Sequence, residues 1–305
     1  MKVLITGIRG FVGQYLKEEL IAQEFEVIGT DLSEEPGCLP CDITNSDQVN
    51  ELLLKTTPDI VYHLAAYSSV RKSWDNPELT QKINLGGTKN ILNACEKLEV
   101  KPLIIFISSS EIYKKTTSII TENSEIDPTS PYAKSKFEAE KAVLDYGNSI
   151  IFRSFNHTGP GQTEVFVCPD FARQVARIEL ELQSPVIEIG NLDVSRDFSD
   201  VRDIVKAYVL VSKKGKIGEI YNACSGKTYK ISWFLEYLTS LSSKKIEVKI
   251  DSNKFRPSDN PVINGSFEKL NKDTGWKTEI PIEKTLKDLY DSWFEKLRLE
   301  NEKNN

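Results

Sequence analysis

The fold of this chain is decided by residues 1–13, which read Met-Lys-Val-Leu-Ile-Thr-Gly-Ile-Arg-Gly-Phe-Val-Gly. An apolar strand runs directly into three glycines, and a helical pattern follows them. Glycines let the backbone turn sharply and approach a pyrophosphate, while the helix N-terminus offers amide donors and the positive end of its dipole. The stretch therefore predicts a dinucleotide-binding loop formed by Gly7, Gly10, Phe11, Val12 and Gly13.

Asp31 ends the next apolar run and is the second feature of this predicted site. A carboxylate at this point binds both hydroxyls of the adenosine ribose and repels a 2′-phosphate. We therefore expect NAD(H) to be the preferred cofactor, with NADP(H) as an admitted alternative.

Strands and helices continue to alternate through the first half of the chain. Apolar runs typical of strands lie at residues 2–6, 26–30, 60–63, 103–108 and 149–153, and helical patterns lie at 11–23, 79–98 and 131–146. Such alternation indicates a parallel sheet that is covered by helices. We therefore predict an α/β fold with a Rossmann-type doubly wound parallel sheet.

From about residue 155 the pattern becomes irregular, and prolines and glycines mark loops. This change predicts a smaller C-terminal lobe that closes over the edge of the sheet and binds the substrate. We expect an NAD-binding Rossmann domain at residues 1–155, with sheet strands contributed by later segments. The substrate lobe follows at 156–297, and a flexible tail is predicted at 298–305.

The composition is typical of a globular protein, because 39% of the 305 residues are hydrophobic and 28% are charged. A formal net charge of −6 argues against a surface that binds nucleic acid or an anionic membrane. The N-terminus has no charged leader, and no apolar stretch reaches membrane-spanning length. We therefore expect a cytoplasmic protein that binds neither nucleic acid nor membrane.

The five cysteines are scattered and odd in number, as expected of reduced thiols. Cys38 and Cys41 have the spacing of a redox motif, but their segment reads as a turn without the helix that such a motif requires. With two histidines and no second cysteine pair, we predict no metal site.

Tyr132 and Lys136 lie one helical turn apart and share one face of the helix predicted at 131–146. Ser130 and Pro131 suit the start of that helix. A nearby ammonium favours the tyrosinate, so we expect the pKa of Tyr132 to move from about 10 towards neutral pH. Such a pair is suited to general acid–base catalysis.

Several motifs resemble those of the extended short-chain dehydrogenases/reductases in order and spacing, over essentially the whole chain. They are Thr6-Gly-Ile-Arg-Gly-Phe-Val-Gly13, Asp42-Ile43, His63-Leu-Ala-Ala66, Asn84-Leu-Gly-Gly-Thr88, Ser108-Ser-Ser-Glu-Ile-Tyr113 and Tyr132-Ala-Lys-Ser-Lys136. The resemblance implies that Ser109 binds the reacting oxygen, Tyr132 carries its proton, and Lys136 binds the nicotinamide ribose. It also implies cofactor contacts from Asp42, Ile43, Leu64, Ala65, Ala66 and Phe155.

The second half of the chain resembles the GDP-4-keto-6-deoxy-D-mannose reductases, with the GDP-mannose 4,6-dehydratases as near relatives. The matching motifs include Arg153-Ser-Phe-Asn156, Arg196-Asp-Phe198 and Arg256-Pro-Ser258. This resemblance implies NAD(P)-dependent reduction at C4 of a GDP-linked sugar, with arginines clamping the diphosphate. The implied substrate-binding residues are Asn156, Val167, Arg173, Asn191, Arg196 and Arg256.

Two positions depart from the pattern of those reductases. Many of them carry a Ser-Arg pair near Asp31 that tolerates NADPH, whereas this chain reads Thr30-Asp31-Leu32. Lys114 replaces a glycine beside Tyr113, and we expect that change to leave Ser109 in register.

The triad does not distinguish a reductase from related enzymes, because all of them exchange hydride at C4. Glu111 matches the glutamate that eliminates water in the dehydratases, so a GDP-mannose 4,6-dehydratase is the main alternative. The others are a UDP-glucose 4-epimerase, a GDP-heptose C4 oxidoreductase and a non-catalytic NAD-sensing protein.

The resemblance also implies a homodimer, paired through the helices predicted at 79–98 and 131–146. The apolar positions of these helices equally suit the core of one subunit. They include Ile91, Leu92, Phe137 and Val143.

Overall fold

The computed structural model describes residues 1–34, 37–251 and 261–304. Its strands are β1 (Lys2–Thr6), β2 (Glu26–Asp31), β3 (Cys38–Pro40), β4 (Ile60–His63), β5 (Leu103–Ser109), β6 (Ser149–Ser154), β7 (Asn156–Thr158), β8 (Val186–Ile189), β9 (Ser195–Asp200), β10 (Ile220–Ala223), β11 (Thr228–Lys230), β12 (Glu247–Ile250) and β13 (Val262–Ile263).

Its α-helices are α1 (Phe11–Ala22), α2 (Ser46–Thr56), α3 (Val70–Asp75), α4 (Pro77–Gln81), α5 (Thr88–Cys95), α6 (Pro131–Tyr146), α7 (Val167–Glu179), α8 (Val201–Lys214), α9 (Ile231–Thr239), α10 (Glu268–Thr274) and α11 (Ile282–Asn304). A π-helical segment (Lys82–Gly87) joins α4 to α5, and a 3₁₀ turn (Ser110–Ile112) follows β5.

Seven parallel strands form the main sheet, in the order β10-β6-β5-β4-β1-β2-β3. The chain winds outward from β1 to β3 and then returns to β4 on the other side of β1. Ligands of such sheets bind beyond the carboxyl ends of the strands at this reversal. The predicted Rossmann-type doubly wound fold is confirmed, and each predicted strand agrees with the observed one to within one residue.

Both faces of the sheet are buried, because successive side chains of each strand point to opposite sides. On one face Val3 and Ile5 pack with α1 and α8, and on the other Leu4 packs with α2, α5 and α6. Both α8 and the edge strand β10 lie in the second half of the sequence. Later segments therefore complete the first domain.

The helix predicted at 79–98 is interrupted by the π-helical segment, so that prediction is wrong in detail. One additional residue in a turn hardly disturbs an apolar pattern, which is why the sequence reads as one helix. Ile43 packs against Gly87 in this segment. The contact is so close that a Cβ added to Gly87 would lie only 2.5 Å from Cδ1 of Ile43. The hydroxyl of Thr88 donates to the carbonyl of Asn84 over 2.6 Å.

Cys38 and Cys41 do not lie in a turn, as the sequence suggested, because β3 begins at Cys38 and pairs with β2. Both thiols are reduced and buried, and they belong to core clusters on opposite faces of the sheet. This placement separates the two sulfur atoms and leaves no redox pair.

The C-terminal lobe has its own core, in which α7, α9 and α11 pack against β8 and β9. Strand β9 pairs with β7, β11 and β13, while β12 pairs with β8. Helix α11 continues to Asn304, so the segment predicted as a flexible tail is helical as far as that residue. Among the described residues, no helix is both long and apolar enough to span a bilayer.

Candidate active site

The glycine loop between β1 and α1 forms a cradle that side chains would fill. Gly7 has a φ of 73°, and its amide donates to the carbonyl of Thr30 over 2.9 Å. A Cβ on Gly13 would lie 2.4 Å from the carbonyl oxygen of Gly7 and 2.6 Å from that of Ile8. Gly10 caps α1 without a side chain, so the first amides of the helix face the loop. These features fit the pyrophosphate of a dinucleotide.

Asp31 lies at the carboxyl end of β2, beside the glycine loop. Its Oδ2 accepts from the Arg9 amide over 3.2 Å, and its Oδ1 accepts from the Leu32 amide over 2.8 Å. The carboxylate lines a cavity of about 300 Å³ together with Arg9 and Lys17. This cavity therefore places one carboxylate and two cationic side chains around the predicted position of the adenosine ribose.

His63 links the loop after β4 to the π-helical segment. Its Nδ1 lies 2.7 Å from Oγ1 of Thr6, which accepts from the Ala65 amide over 3.1 Å. Its Nε2 lies 3.0 Å from Oγ1 of Thr88. Because Thr88 donates its own proton to the Asn84 carbonyl, it accepts from His63, and the proton of the imidazole is therefore on Nε2. This series of hydrogen bonds fixes the backbone of Ala65, one of the predicted cofactor contacts.

Burial, assisted by the charge of Lys136, lowers the pKa of His63 from 6.5 to about 3. The folded protein thus resists protonation of a group that the unfolded chain protonates near pH 6.5. The contribution of His63 to stability is therefore fully present above pH 6.5 and is lost as the pH falls towards 3. We expect His63 alone to reduce the free energy of unfolding by about 2 kcal/mol between pH 7 and pH 5.

Urea denaturation of the wild type and of His63→Gln at several pH values in this range measures the effect. The variant should show a shallower decrease of stability because it lacks His63. Some decrease should remain, because His157, whose pKa is also lowered by burial, is present in both proteins. Equal slopes in the two proteins would contradict the assignment to His63.

Ser109, Tyr132 and Lys136 meet at the carboxyl end of β5. Helix α6 begins as predicted, with Oγ of Ser130 accepting from the Ala133 amide over 3.0 Å and Pro131 in the first turn. Tyr132 and Lys136 are buried on the face of α6 that covers β5, and Ser109 hydrogen-bonds to Tyr132. The ammonium of Lys136 donates to the Ile107 carbonyl over 2.8 Å. The three predicted catalytic side chains therefore form one cluster.

The expectation that the pKa of Tyr132 moves towards neutral pH is wrong in this structure. Burial raises the pKa of Tyr132 to about 12; the Ser109 hydrogen bond opposes this rise and the Glu111 carboxylate adds to it. Burial also lowers the pKa of Lys136 to about 8, against the influence of Glu140. Spacing along a helix predicts proximity but not depth of burial, and burial has the larger effect here.

Glu111 lies in the 3₁₀ turn directly after Ser109, and its amide donates to Oγ of Ser109 over 3.2 Å. Its effect on Tyr132 shows that the carboxylate acts on the same cluster. Lys114 lies farther along this segment, exposed and paired with Glu125 over 2.9 Å. Ser109 keeps its place in β5, opposite Ser154 of β6, so the substitution at Lys114 leaves it in register.

The other predicted cofactor residues occupy two environments. Ile43 is buried against Gly87, and Asp42 precedes it, with its Oδ1 accepting from the Thr44 amide over 2.8 Å. Phe155 is 2% exposed and packs near Gly265, so its side chain belongs to the core. The partly buried residues of these segments are Phe11, Val12, Leu64, Ala65 and Ala66.

The predicted substrate residues are spread over the C-terminal lobe. Asn156 lies on β7, opposite Phe198 of β9, and Arg196 lies two residues earlier on the same strand. Arg196 is buried, and its Nη1 donates to the Ser195 carbonyl over 2.9 Å. The small sheet therefore brings Asn156 and Arg196 to neighbouring strands.

Arg173 is held by the lobe itself, with Nε 4.0 Å from Oε1 of Glu164 and its guanidinium 6.0 Å from the ring centroid of Trp293. Val167 begins α7, and Oδ1 of Asn191 accepts from the Asp193 amide over 2.9 Å. Arg256 lies outside the described residues. Of the three arginines predicted to clamp the diphosphate, the structure therefore describes Arg173 and Arg196, which lie on different elements of the lobe.

Sequence reasoning missed several residues that position the cluster. Ser73 on α3 accepts from the Tyr132 amide over 3.3 Å, and Asn84 donates to Oγ of Ser135 over 2.9 Å. Glu140 follows Lys136 by one helical turn and forms a buried ion pair with Arg153 over 2.8 Å. Only Glu140 had a local signal, its helical spacing from Lys136. Within the described residues, no group of three or more metal-ligating side chains is present.

Comparison with known proteins agrees with this arrangement. Residues 4–289 match the family model described as GDP-mannose 4,6 dehydratase. The GDP-6-deoxy-D-mannose reductase of Pseudomonas aeruginosa is 34% identical over 307 residues, which cover 98% of this chain and 99% of the relative. The GDP-6-deoxy-D-talose 4-dehydrogenase of Aggregatibacter actinomycetemcomitans is 33% identical over 280 residues, covering 88% of this chain and 90% of the relative.

Among solved structures, RMD from Pseudomonas aeruginosa complexed with NADPH has a TM-score of 0.88 and 33% sequence identity. The match covers 97% of this chain and 99% of that one. The likeness therefore includes the glycine loop, the catalytic cluster and the C-terminal lobe together. The chain belongs to the GDP-mannose 4,6-dehydratase family of extended short-chain dehydrogenases/reductases and is an NAD(P)-dependent enzyme that acts on a nucleotide sugar.

Proposed function

We propose that this enzyme reduces the C4 ketone of GDP-4-keto-6-deoxy-D-mannose to a GDP-6-deoxyhexose. The observation that carries the proposal is the meeting of Ser109, Tyr132 and Lys136 at the carboxyl end of β5. Support for the substrate comes from the 34% identity to a GDP-6-deoxy-D-mannose reductase over nearly the full length of both chains.

The cluster is suited to protonating one oxygen atom. Ser109 and Tyr132 offer two hydroxyl donors, which polarise the C4 carbonyl of the proposed substrate. The raised pKa keeps Tyr132 protonated at neutral pH, so it is available as the general acid that protonates the oxygen at C4. The ammonium of Lys136, buried one helical turn from Tyr132, is suited to stabilising the tyrosinate that remains. A bound nicotinamide cofactor supplies the hydride for this reduction.

A second candidate function is dehydration of GDP-mannose, favoured by the position of Glu111. Glu111 lies in the turn directly after Ser109, and its charge contributes to the raised pKa of Tyr132. A carboxylate there is suited to moving protons during elimination of water across C5 and C6.

Incubation of the purified protein with a panel of sugars and NADH or NADPH tests the proposal. The panel includes GDP-4-keto-6-deoxy-D-mannose, GDP-mannose, a GDP-heptose and UDP-glucose, with products identified by mass spectrometry and NMR. A GDP-6-deoxyhexose formed with consumption of reduced cofactor supports the reductase. A 4-keto-6-deoxy product from GDP-mannose that disappears in Glu111→Gln supports the dehydratase instead.

Two other outcomes separate the remaining alternatives. Interconversion of UDP-glucose and UDP-galactose supports an epimerase, and turnover confined to the GDP-heptose supports a heptose oxidoreductase. Tight binding of NAD without turnover of any sugar supports a sensing protein.

We propose that Asp31 makes NADH the preferred cofactor, with NADPH also accepted. Removing the carboxylate should raise the ratio of kcat/KM for NADPH to that for NADH, because a 2′-phosphate no longer meets a like charge and Arg9 and Lys17 remain. We expect Asp31→Asn to raise this ratio at least about tenfold, or about 1.4 kcal/mol. Asparagine keeps an oxygen that accepts from the Arg9 amide.

Steady-state kinetics with both cofactors provide the measurement. Asp47→Asn, the same substitution on the exposed first turn of α2, serves as the control and should leave the ratio unchanged. An unchanged ratio in Asp31→Asn would remove Asp31 as the determinant of preference.

We also propose a homodimer paired through α4, α5 and α6. Ile91, Leu92 and Val143 lie in the core, so they are not available for this contact. Leu79 and Leu144 are the exposed large apolar residues of these described helices. Light scattering that shows a monomer at micromolar concentration would contradict the pairing.

A further inference from the structure

A buried ion pair joins helix α6, which carries Tyr132 and Lys136, to strand β6. Glu140 on α6 is 2% exposed and Arg153 on β6 is 4% exposed. Nε and Nη2 of Arg153 donate to the two carboxylate oxygens over 3.1 Å and 2.8 Å, in a bidentate arrangement. Both oxygens of Glu140 are therefore engaged by a single guanidinium.

The same guanidinium also holds the segment that follows Ser109 and Glu111. Nη1 of Arg153 donates to the hydroxyl of Tyr113 over 3.1 Å and to the Glu122 carbonyl over 3.3 Å. The Tyr113 hydroxyl in turn donates to Oδ1 of Asn222 on β10 over 2.7 Å. The pair thus connects α6 with β6, β10 and the segment that carries Glu111.

Glu140 follows Lys136 by one helical turn and influences its ammonium. The ammonium itself donates to the Ile107 carbonyl and lies 5.0 Å from the ring centroid of Phe106 on β5. Because both of its oxygens are occupied by Arg153, Glu140 acts on Lys136 through its charge.

The remaining titratable groups around the ammonium do not take over that role. His63 on β4 is held neutral by burial, and Tyr132 on α6 stays protonated. Arg153 carries a positive charge and lies beyond the carboxylate. Glu140 is therefore the carboxylate that favours the charged form of Lys136 against the cost of its burial.

We propose that Glu140 and Arg153 are positioning residues of the reaction. The carboxylate keeps Lys136 charged at its place beside β5, and the guanidinium holds both that carboxylate and the segment bearing Glu111 against α6. The proposal rests on the proposed function in one respect, that Tyr132 and Lys136 perform the acid–base step.

The test compares Glu140→Gln with Glu138→Gln, the same substitution at an exposed position of the same helix. Titration of Lys136 is followed by NMR of lysine labelled with ¹³C at Cε, in protein without substrate. Lys136→Gln identifies the resonance. We expect the midpoint to fall by at least one pH unit in Glu140→Gln, a tenfold change in the ratio of amine to ammonium. In Glu138→Gln it stays at the wild-type value.

Activity provides the second measurement. The alkaline limb of the pH profile of kcat/KM should move down by the same amount in Glu140→Gln, because it reports the charge of Lys136. An unchanged midpoint, or a uniform loss of activity at all pH values, would show that the pair only stabilises the fold.

Glu140→Gln leaves Arg153 buried without its counter-charge, so its folding is checked by thermal denaturation. If it does not fold, the double variant Glu140→Gln/Arg153→Gln removes both charges and should show the same fall in the midpoint. The NMR titration does not depend on any substrate. A wild type that turns over no sugar would therefore refute the proposed function and leave this result standing.

Discussion

Tyr132→Phe should lower kcat at least about a hundredfold while leaving cofactor binding and the fold intact. The reason is that we propose the phenol hydroxyl as the proton donor to the reacting oxygen, a role in which Ser109 alone would not replace it. Phenylalanine keeps the ring that α6 buries against the sheet, so packing is preserved. The loss should therefore appear in kcat rather than in the affinity for NADH.

Single-turnover and steady-state kinetics, with NADH binding measured by fluorescence, test this expectation. Tyr146→Phe, at the other end of α6, removes a hydroxyl that donates to the Pro102 carbonyl over 2.9 Å. It should cost about 1 kcal/mol of stability and leave kcat unchanged. A Tyr132→Phe protein with near wild-type turnover would sink the proposed mechanism.

Gly13→Ala should weaken dinucleotide binding strongly, with the dissociation constant for NADH rising at least about a hundredfold, or about 2.7 kcal/mol. The added Cβ meets two backbone carbonyl oxygens, those of Gly7 and Ile8, at 2.4 Å and 2.6 Å. Backbone atoms do not move aside as the end of a flexible side chain does. The first turn of α1 must therefore shift away from the loop that it closes.

Isothermal titration with NADH measures the loss, and Gly86→Ala is the matched control. Gly86 lies in the π-helical segment, and a Cβ there meets nothing within 4 Å. That variant should bind NADH as the wild type does. Binding by Gly13→Ala within about threefold of the wild type would show that the loop does not need the close approach.

Five of the seven strands of the Rossmann sheet were predicted because they read as continuous apolar runs, whereas the short strands β3 and β10 were not. Helix α2 was not predicted, although its signals are present: Asn45 caps it, and Val49 and Leu53 lie at helical spacing. The π-helical segment was not predictable in the same way. Within it Gly87 packs closely against Ile43, a contact between residues far apart in the sequence that no local pattern shows.

The sequence predicted the residues Ser109, Tyr132 and Lys136 of the proposed catalytic cluster because they occur in short motifs. The surroundings of those residues were not predicted from the sequence, because contacts across the sheet determine them. Arg153 reaches Glu140 only because β6 lies beneath α6. The pKa of Tyr132 was predicted in the wrong direction for the same reason, because Tyr132 is buried where α6 packs on β5 and on the turn that carries Glu111.

The order of strands in the sheet has a consequence for synthesis on the ribosome. Strand β6 is complete at Ser154, but β10, which covers its outer edge, ends only at Ala223. Until then the nascent chain exposes an unpaired apolar strand that includes Ile150 and Phe152, which invites pairing with other chains. A fragment that stops at residue 155 keeps this open edge permanently. The boundary near residue 155 therefore separates the predicted cofactor-binding part from the predicted substrate-binding part, but it does not separate two units that fold independently.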